Sequence, residues 1–412
     1  MSNSTLIEME TKITYIKNGT VTSPKGFQAN GIHCGLKKKN KDLALIYSIV
    51  PAEAAGVYTL NKAKAAPVKI SENITKQNQK VRAIICNSGN ANACTGIDGH
   101  LDALEIQKKC AEVLGINQNE VLISSTGVIG ERLNVPSIVN SLDTLKNNLS
   151  EDGGLLAAQA IMTTDLVPKH FALKVKLTQG EIIIGGIAKG SGMIMPNMAT
   201  MLGFVTTDAN ISKELLQSAL IEAVNDSFNK ISVDGETSTN DMVLFLANGM
   251  SGVKVQKGTE DYQTFVESLK DISINMAKSI VADGEGATKF ITLNVINVPS
   301  DKDANIIAKA IANSPLVKTA INGGDPNWGR IISAASSSGA NIYPEKVTLY
   351  FNDLALIEPN YKINNVEKEA AQILQNKNIK ITIDLNDGNA STTWWTCDYS
   401  EQYIKINAHY RT

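Results

Sequence analysis

Residues 185–206, GGIAKGSGMIMPNMATMLGFVT, gather glycines, a proline and methionines around one cation, Lys189, and one hydroxyl, Thr200. Up to Thr200 the stretch follows neither a helical nor a strand period. From Thr200 the run Thr-Met-Leu-Gly-Phe-Val-Thr reads as a buried strand. A small hydroxyl therefore opens a strand directly after a Pro-punctuated loop. Such a hydroxyl is a nucleophile only with a base beside it; on position alone it is an ordinary strand start. The glycines do not form a phosphate cradle. Gly190-x-Gly192 lacks a third glycine, and Lys189 precedes its glycine instead of following it. Histidine and cysteine chemistry finds little support. The four histidines (33, 100, 170 and 409) are scattered, with no HExxH. The five cysteines (34, 86, 94, 110 and 397) are odd in number and form no CxxC. That argues against a disulfide framework or a zinc site and fits a reducing cytoplasm. His33 and Cys34 are adjacent, but neighbours in a strand point to opposite faces.

The elements that must position such a site alternate between strands and helices. Residues 81–86, VRAIIC, read as a strand ended by a loop at Asn87-Ser88-Gly89-Asn90. Residues 101–114 place apolar groups at helical spacing and stop at Gly115, with Cys110 on the core face. Residues 121–125, VLISS, read as a buried strand running into Thr126-Gly127. A helix is predicted over 213–230 with Ser212 as its cap, another over 261–282 that ends at Asp283-Gly284, and shorter ones over 301–312 and 366–377. Residues 289–298 are strand-like. IKITIDL at 379–385 followed by Asp387-Gly388 predicts a hairpin into a return strand carrying Trp394-Trp395. One tryptophan should face the core and the other a helix or a subunit. The fold class expected is α/β (α+β), with helices covering sheets.

Composition narrows the function. The chain has 412 residues, with 39 Lys plus Arg against 41 Asp plus Glu, a net charge of −2. A dedicated nucleic-acid binder usually shows a basic excess. The one dense basic run, Lys37-Lys38-Lys39-Asn40-Lys41, reads as a solvated turn between strands. At 43% hydrophobic residues, the chain has the composition of a folded protein, not a disordered one. The length suits two or three domains or one large one. The N-terminus carries Glu8 and Glu10 and no apolar core, so no signal peptide is expected. The apolar run 182–205 contains Lys189, Asn197, Pro196 and five glycines, and would insert poorly into a membrane.

The window KGSGMIMPNMATML at 189–202 closely resembles the signature of the ornithine acetyltransferases, also called bifunctional glutamate N-acetyltransferases. The resemblance continues in order through AAGVYTLNKAKAAPV (54–68), NSGNANACTG (87–96), SSTGVIGERL (124–133), MTTD (162–165), DGETSTND (234–241), DGEGATKF (283–290), NGGDPNWGRI (322–331) and INAHYRT (406–412). Leu166 departs from it, where the family often has a second small polar residue. The resemblance implies that the chain cuts itself at Ala199–Thr200 and that Thr200 becomes the acyl-accepting nucleophile. The physics of such a cut is clear. It frees an α-amino group with a pKa of about 8 on the same residue as the hydroxyl, so base and nucleophile arrive together without a histidine.

Further roles follow from the resemblance. Thr126 and Gly127 would form the oxyanion hole that acyl transfer requires. Amino-acid substrates carry a carboxylate and an ammonium, so Lys189 is expected to hold the first and Glu285 the second. Thr163, Asn407 and Thr412 carry over as substrate-binding residues, the last two on the expectation that a terminal strand is anchored. Asn87, Asn90, Asn240, Asp241, Asp325 and Trp328 sit in family-like loops, and glycine- and Asx-rich turns account for them.

The implied reaction is ping-pong transfer of acetyl from N2-acetylornithine to glutamate in arginine biosynthesis. No metal or organic cofactor is indicated. Some family members also take acetyl-CoA, and no CoA signature in this sequence decides that point. The implied fold is two stacked β-sheets flanked by helices, layered like N-terminal-nucleophile hydrolases but wired differently. The two pieces, 1–199 and 200–412, are expected to stay together, two copies of each, in the cytoplasm, with neither nucleic acid nor membrane as partner. The first rival is a self-processing amidohydrolase or aminopeptidase of the same architecture, which would pass the acyl group to water. The second is a non-catalytic amino-acid-binding protein with an uncut loop.

Overall fold

The structure, a computed structural model, describes residues 12–195 and 201–409. β1 (Ile13–Tyr15), β2 (Phe27–Ile32) and the long β3 (Leu43–Tyr58) lead into α1 (Ala66–Lys76). β4 (Val81–Asn90), α2 (Gly96–Leu114) and β5 (Val121–Val128) follow, then α3 (Val135–Val139), α4 (Leu142–Asn147) and α5 (Gly154–Ala160). β6 (Lys169–Leu177), β7 (Gly180–Lys189) and β8 (Leu202–Thr207) precede β9 (Asn210–Ile211), α6 (Lys213–Asn225), β10 (Ile231–Ser232), β11 (Met242–Ala247), β12 (Lys254–Val255) and α7 (Glu260–Ala282). The rest is β13 (Phe290–Val298), α8 (Asp301–Ala312), α9 (Pro315–Gly323), α10 (Trp328–Ser336), β14 (Thr348–Phe351), β15 (Leu354–Glu358), β16 (Lys362–Ile363), α11 (Glu367–Ile373), β17 (Asn378–Asp384), β18 (Ala390–Cys397) and α12 (Glu401–Ala408).

Among the described residues, nine strands join in the order β1-β6-β7-β8-β11-β3-β4-β5, with β2 on the free side of β3. β3 carries the turn in this sheet. Its first half pairs with β2 and β4, and its second half pairs with β11. The register slips between Tyr47 and Ala52, where the strand changes partners. Alternation along β11 divides two cores. Met242, Leu244 and Leu246 pack with β2–β5, while Val243 and Phe245 pack against α6 and α7. A second sheet runs β10-β18-β13-β17-β14-β15-β16, with α8, α9 and α10 on its core. α7 lies between the sheets, touching β6 and β7 on one side and β18 on the other. The fold is mixed α/β, with sheets and helices in layers.

Several expectations hold in detail. α8 spans the predicted 301–312, and Gly115 closes α2 in the left-handed region at φ 71°. The Ser212 hydroxyl accepts from the Leu215 amide and caps α6. Trp394 packs in the core of the second sheet, and Trp395 faces α7 with Lys278 over its ring.

Others are corrected. Asn87–Asn90 is not a loop: β4 runs on to Asn90 because its polar side chains find partners, Asn87 with the Ser125 hydroxyl on β5 and the Asn90 carbonyl, and Ser88 with the Ala160 carbonyl at the end of α5. Residues 185–189 are not irregular either, since they complete β7. The helix predicted over 213–230 ends at Asn225, and a single 3-10 turn follows. The helix predicted over 366–377 shrinks to Glu367–Ile373. The chain approaches its end as a helix, α12, not a strand. Asp387-Gly388 does not make a hairpin. β13 lies between β17 and β18, parallel to one and antiparallel to the other. The connection crosses the end of β13, where a Cβ on Gly388 would lie 2.2 Å from the Val298 carbonyl oxygen. In the basic run, Lys38 and Lys39 are solvated, but Lys37 is half-buried and donates to the Met162 carbonyl.

Candidate active site

β4 and β5 run in parallel and bring Thr126 and Gly127 beside Ser88–Asn90. Gly127 sits at φ 136°, and a Cβ there would lie 2.3 Å from the Gly89 carbonyl carbon. Only glycine meets both conditions. Thr126 is almost fully buried, with the Lys189 ammonium 3.5 Å from its hydroxyl. The Asn240 side chain ties this strand end to the entry of β11. Its amide donates to the Ala91 and Ser125 carbonyls, and its oxygen accepts from Thr239.

A buried ion cluster holds the segments that carry the other predicted residues. The Lys169 ammonium lies 2.7 Å from Asp165 and 2.6 Å from Asp283, and all three are buried. Buried charges persist only when paired and hydrogen-bonded. Here the remaining acceptors are satisfied by backbone. Asp165 accepts from the Thr163 and Gly190 amides, and Asp283 from the Leu166 amide. The Ser191 hydroxyl donates to the Asp283 carbonyl, and the Glu285 amide donates to the Ser191 carbonyl. Three distant segments are thereby tied together, and each presents one predicted residue: Thr163, Lys189 and Glu285. Burial alone would raise the Asp165 pKa. The charges of Lys189 and Lys169, with the hydrogen bonds, instead pull it down to about 2.

Glu285 is buried at the end of α7, and the Asn407 amide on α12 donates to its Oε2 at 2.8 Å. A Cβ on Gly192 would lie 2.3 Å from the Glu285 carboxyl carbon, so the loop after β7 closes on this acid through a glycine.

These groups line one cavity of about 270 Å³: Thr126, Gly127, Thr163, Lys189, Glu285 and Asn407. Met201 and Leu202 line it too, and Lys189 stands directly opposite Leu202 in the β7–β8 ladder. Ala199, Thr200 and Thr412 lie outside the described residues. Lys189 and Glu285 bring a basic and an acidic side chain to the same cavity, with Asp241 also in its lining. Its floor of Thr126 hydroxyl and Gly127 amide is of the kind that stabilises a developing oxyanion. Among the described residues no cluster of three His, Cys, Asp or Glu side chains is arranged to hold a metal, and no helix is long and apolar enough to cross a membrane.

His33 and Cys34 do not act on each other. Both bind Asp42, the ring at 3.0 Å and the Cys34 amide at 2.6 Å, and burial beside that carboxylate pushes the Cys34 thiol up to about 12. Asp325 and Trp328 lie in the second sheet's helical layer, away from the cavity. Sequence reasoning left Asn240 and Asp241 as turn residues, yet both line the cavity. It also missed the Asp165–Lys169–Asp283 cluster, whose members are far apart in the chain and carry no local signal.

The ArgJ family profile matches residues 28–412. The arginine biosynthesis bifunctional protein ArgJ of Chlorobaculum tepidum is 46% identical over 390 residues, 94% of this chain and 96% of that one. The protein of the same name from Oceanobacillus iheyensis is 44% identical over 402 residues, 97% of this chain and 98% of that one. Among solved structures, ornithine acetyltransferase complexed with ornithine from Mycobacterium tuberculosis is 38% identical, covers 45% of this chain and 100% of that chain, and has a TM-score of 0.43. Identity at this level across nearly the whole length of its relatives means that the chain belongs to the ArgJ family.

Proposed function

We propose that this enzyme transfers acetyl from N2-acetylornithine to glutamate through an acyl ester on Thr200, and that it makes its own nucleophile by cutting Ala199–Thr200. The observation that carries the reading is the convergence of Thr126, Gly127, Thr163, Lys189, Glu285 and Asn407 on one cavity, beside the chain that leaves residue 200 at Met201. The relatives' name, which places them in arginine biosynthesis, supports it.

In the cut, the Thr200 hydroxyl attacks the Ala199 carbonyl carbon, the peptide nitrogen leaves as the amine, and water hydrolyses the resulting ester. The amine then serves as base. It takes the hydroxyl proton as Thr200 attacks the acetyl carbonyl, and it returns that proton to the departing ornithine nitrogen. Thr126 Oγ1 and the Gly127 amide receive the oxyanion in both half-reactions. Lys189 holds the amino acid's α-carboxylate. Glu285, oriented by Asn407, holds an ammonium. Glutamate's neutral amine then attacks the acyl ester and leaves as N-acetylglutamate. Acetyl-CoA as a second donor, pieces 1–199 and 200–412 assembled two of each, and a cytoplasmic site of action belong to the same proposal.

Intact mass under denaturing conditions tests the cut. The parent should give two pieces, and Thr200→Ala one chain. Ornithine release from N2-acetylornithine should then rise many-fold on adding glutamate. A cut enzyme that glutamate does not stimulate would be a hydrolase, and an active parent that stays uncut would remove Thr200 from the mechanism.

A further inference from the structure

Two buried amide side chains that none of these roles uses hold the cavity floor. Thr126 and Gly127 lie near the end of β5, where the pairing with β4 loses its regular register and Asn90 faces both Thr126 and Val128. Such an irregularity bends a strand and re-aims its groups, so the backbone there needs support from outside the ladder. Asn240, on the approach to β11, gives the first support. Its Nδ2 donates to the Ser125 carbonyl at 2.8 Å and to the Ala91 carbonyl at 2.5 Å. The Ser125 carbonyl belongs to the peptide group that carries the Thr126 amide. The Ala91 amide in turn donates to the Val128 carbonyl at 2.9 Å, just beyond Gly127. One side-chain amide therefore braces Thr126–Gly127 on both sides. Its oxygen accepts from the Thr239 hydroxyl at 2.6 Å. Although Asn240 lines the cavity, both hydrogens of its amide are committed to backbone.

Asn87 gives the second support. Its Oδ1 accepts from the Ser125 hydroxyl at 2.6 Å, and its Nδ2 donates to the Asn90 carbonyl at 2.8 Å. Asn87 and Asn240 are each 3% exposed, so these bonds form away from bulk water, where they are stiffest. The residues after Asn240 are fixed as well. The Asp241 carbonyl accepts the Thr59 amide at 2.9 Å, and β11 lies between β3 and β8.

We propose that Asn240 is a positioning residue for acyl transfer: it sets the aim of the Thr126 hydroxyl and the Gly127 amide into the cavity, with Asn87 as the second support. The inference rests on the oxyanion role proposed above for those two groups. Donors to a developing oxyanion act only when they are held at the right distance before the charge appears. A supporting side chain that fixes them therefore acts on the rate and not on substrate affinity.

Asn240→Ser keeps one donor at the position. Counted per cut chain, its kcat for ornithine release from N2-acetylornithine should fall about 10- to 100-fold. Its Kd for ornithine, measured by titration calorimetry, should stay within about twofold of the parent. In a Thr126→Val background the same change should cost about fivefold less or better, because the hydroxyl it aims is gone. Ser125→Ala removes only the Asn87 support and should lower kcat about three- to tenfold, again at unchanged Kd.

Four results would overturn the proposal: an unmoved kcat in folded Asn240→Ser, an ornithine Kd weakened as much as kcat falls, full additivity with Thr126→Val, or a folded Asn240→Ser chain that is never cut. If Asn240→Ser does not fold, Ser125→Ala decides: a fall in kcat at unchanged Kd supports the proposal, and parental kcat overturns it. A parent that releases no ornithine from N2-acetylornithine is a different failure, since it removes the acyl-transfer reading itself.

Discussion

Asp165 and Asp241 are both buried carboxyls in the field of Lys189, and their pKa values are pushed in opposite directions. Asp165 accepts from Lys169 and from two backbone amides, and its pKa falls to about 2. Asp241 has an oxygen with no donor at all, and its pKa rises. Burial pushes both the same way and Lys189 acts on both, so the second cation at Asp165, Lys169, with its hydrogen bond, decides the outcome. The first is a finished joint in the scaffold. The second is an acid in the cavity wall with one oxygen that accepts no hydrogen bond.

The contrast can be broken most severely from the scaffold side. Lys169→Met strands two carboxylates in the interior and should cost about 3–5 kcal/mol in denaturant unfolding. Activity should vanish with it, because Thr163, Lys189 and Glu285 all lean on that joint. On the cavity floor, Thr126→Val should lower kcat by about 10²- to 10³-fold, the usual cost of one oxyanion donor. Its unfolding midpoint should barely change, so a large loss of stability there would mean that the hydroxyl is structural.

Asn407→Ala leaves Glu285 without its orienting amide and should raise KM for the amino-acid substrates about tenfold, in line with one hydrogen bond to a charged group; steady-state kinetics checks it. Acid titration sharpens the comparison of the two acids. Asp165 is depressed, so its stabilisation is present above the unfolded value of about 3.9 and is lost as pH falls toward 2. Asp241 in the uncut chain is raised, so its ionisation costs stability as pH climbs above that same value. Midpoints of the Thr200→Ala chain measured against pH should show both slopes, and Asp165→Asn should flatten only the acid one. The smallest effect belongs to the basic turn: Lys38→Glu with Lys39→Glu should move stability by less than about 0.5 kcal/mol per site.

Local signals were readable where local energetics decide. The cap serine 212, the αL stop at Gly115 and the apolar spacing of α7 and α8 all act within a few residues of themselves. The six described site residues came from motif resemblance, and the cavity brings them together. What stayed hidden depended on partners remote in the chain. Asn87–Asn90 looks like a turn until β5 and the Ala160 carbonyl satisfy its side chains. Asp387-Gly388 looks like a hairpin until β13 is seen between the two strands. Asp241 looks like a loop acid, because neither its burial nor its missing partner can be read from DGETSTND.

The strand order β7-β8-β11-β3 bears on how the molecule is made and lost. A cut after residue 199 would leave β8 and β11 on one piece, wedged between β7 and β3 of the other. Assembly would then be a single-use event, first order while the chain is whole. A molecule that later unravelled could be rebuilt only by the encounter of two fragments, at a rate that falls with dilution. Its endurance in the cell would be governed by how slowly the ladders open and not by any equilibrium with the unfolded state.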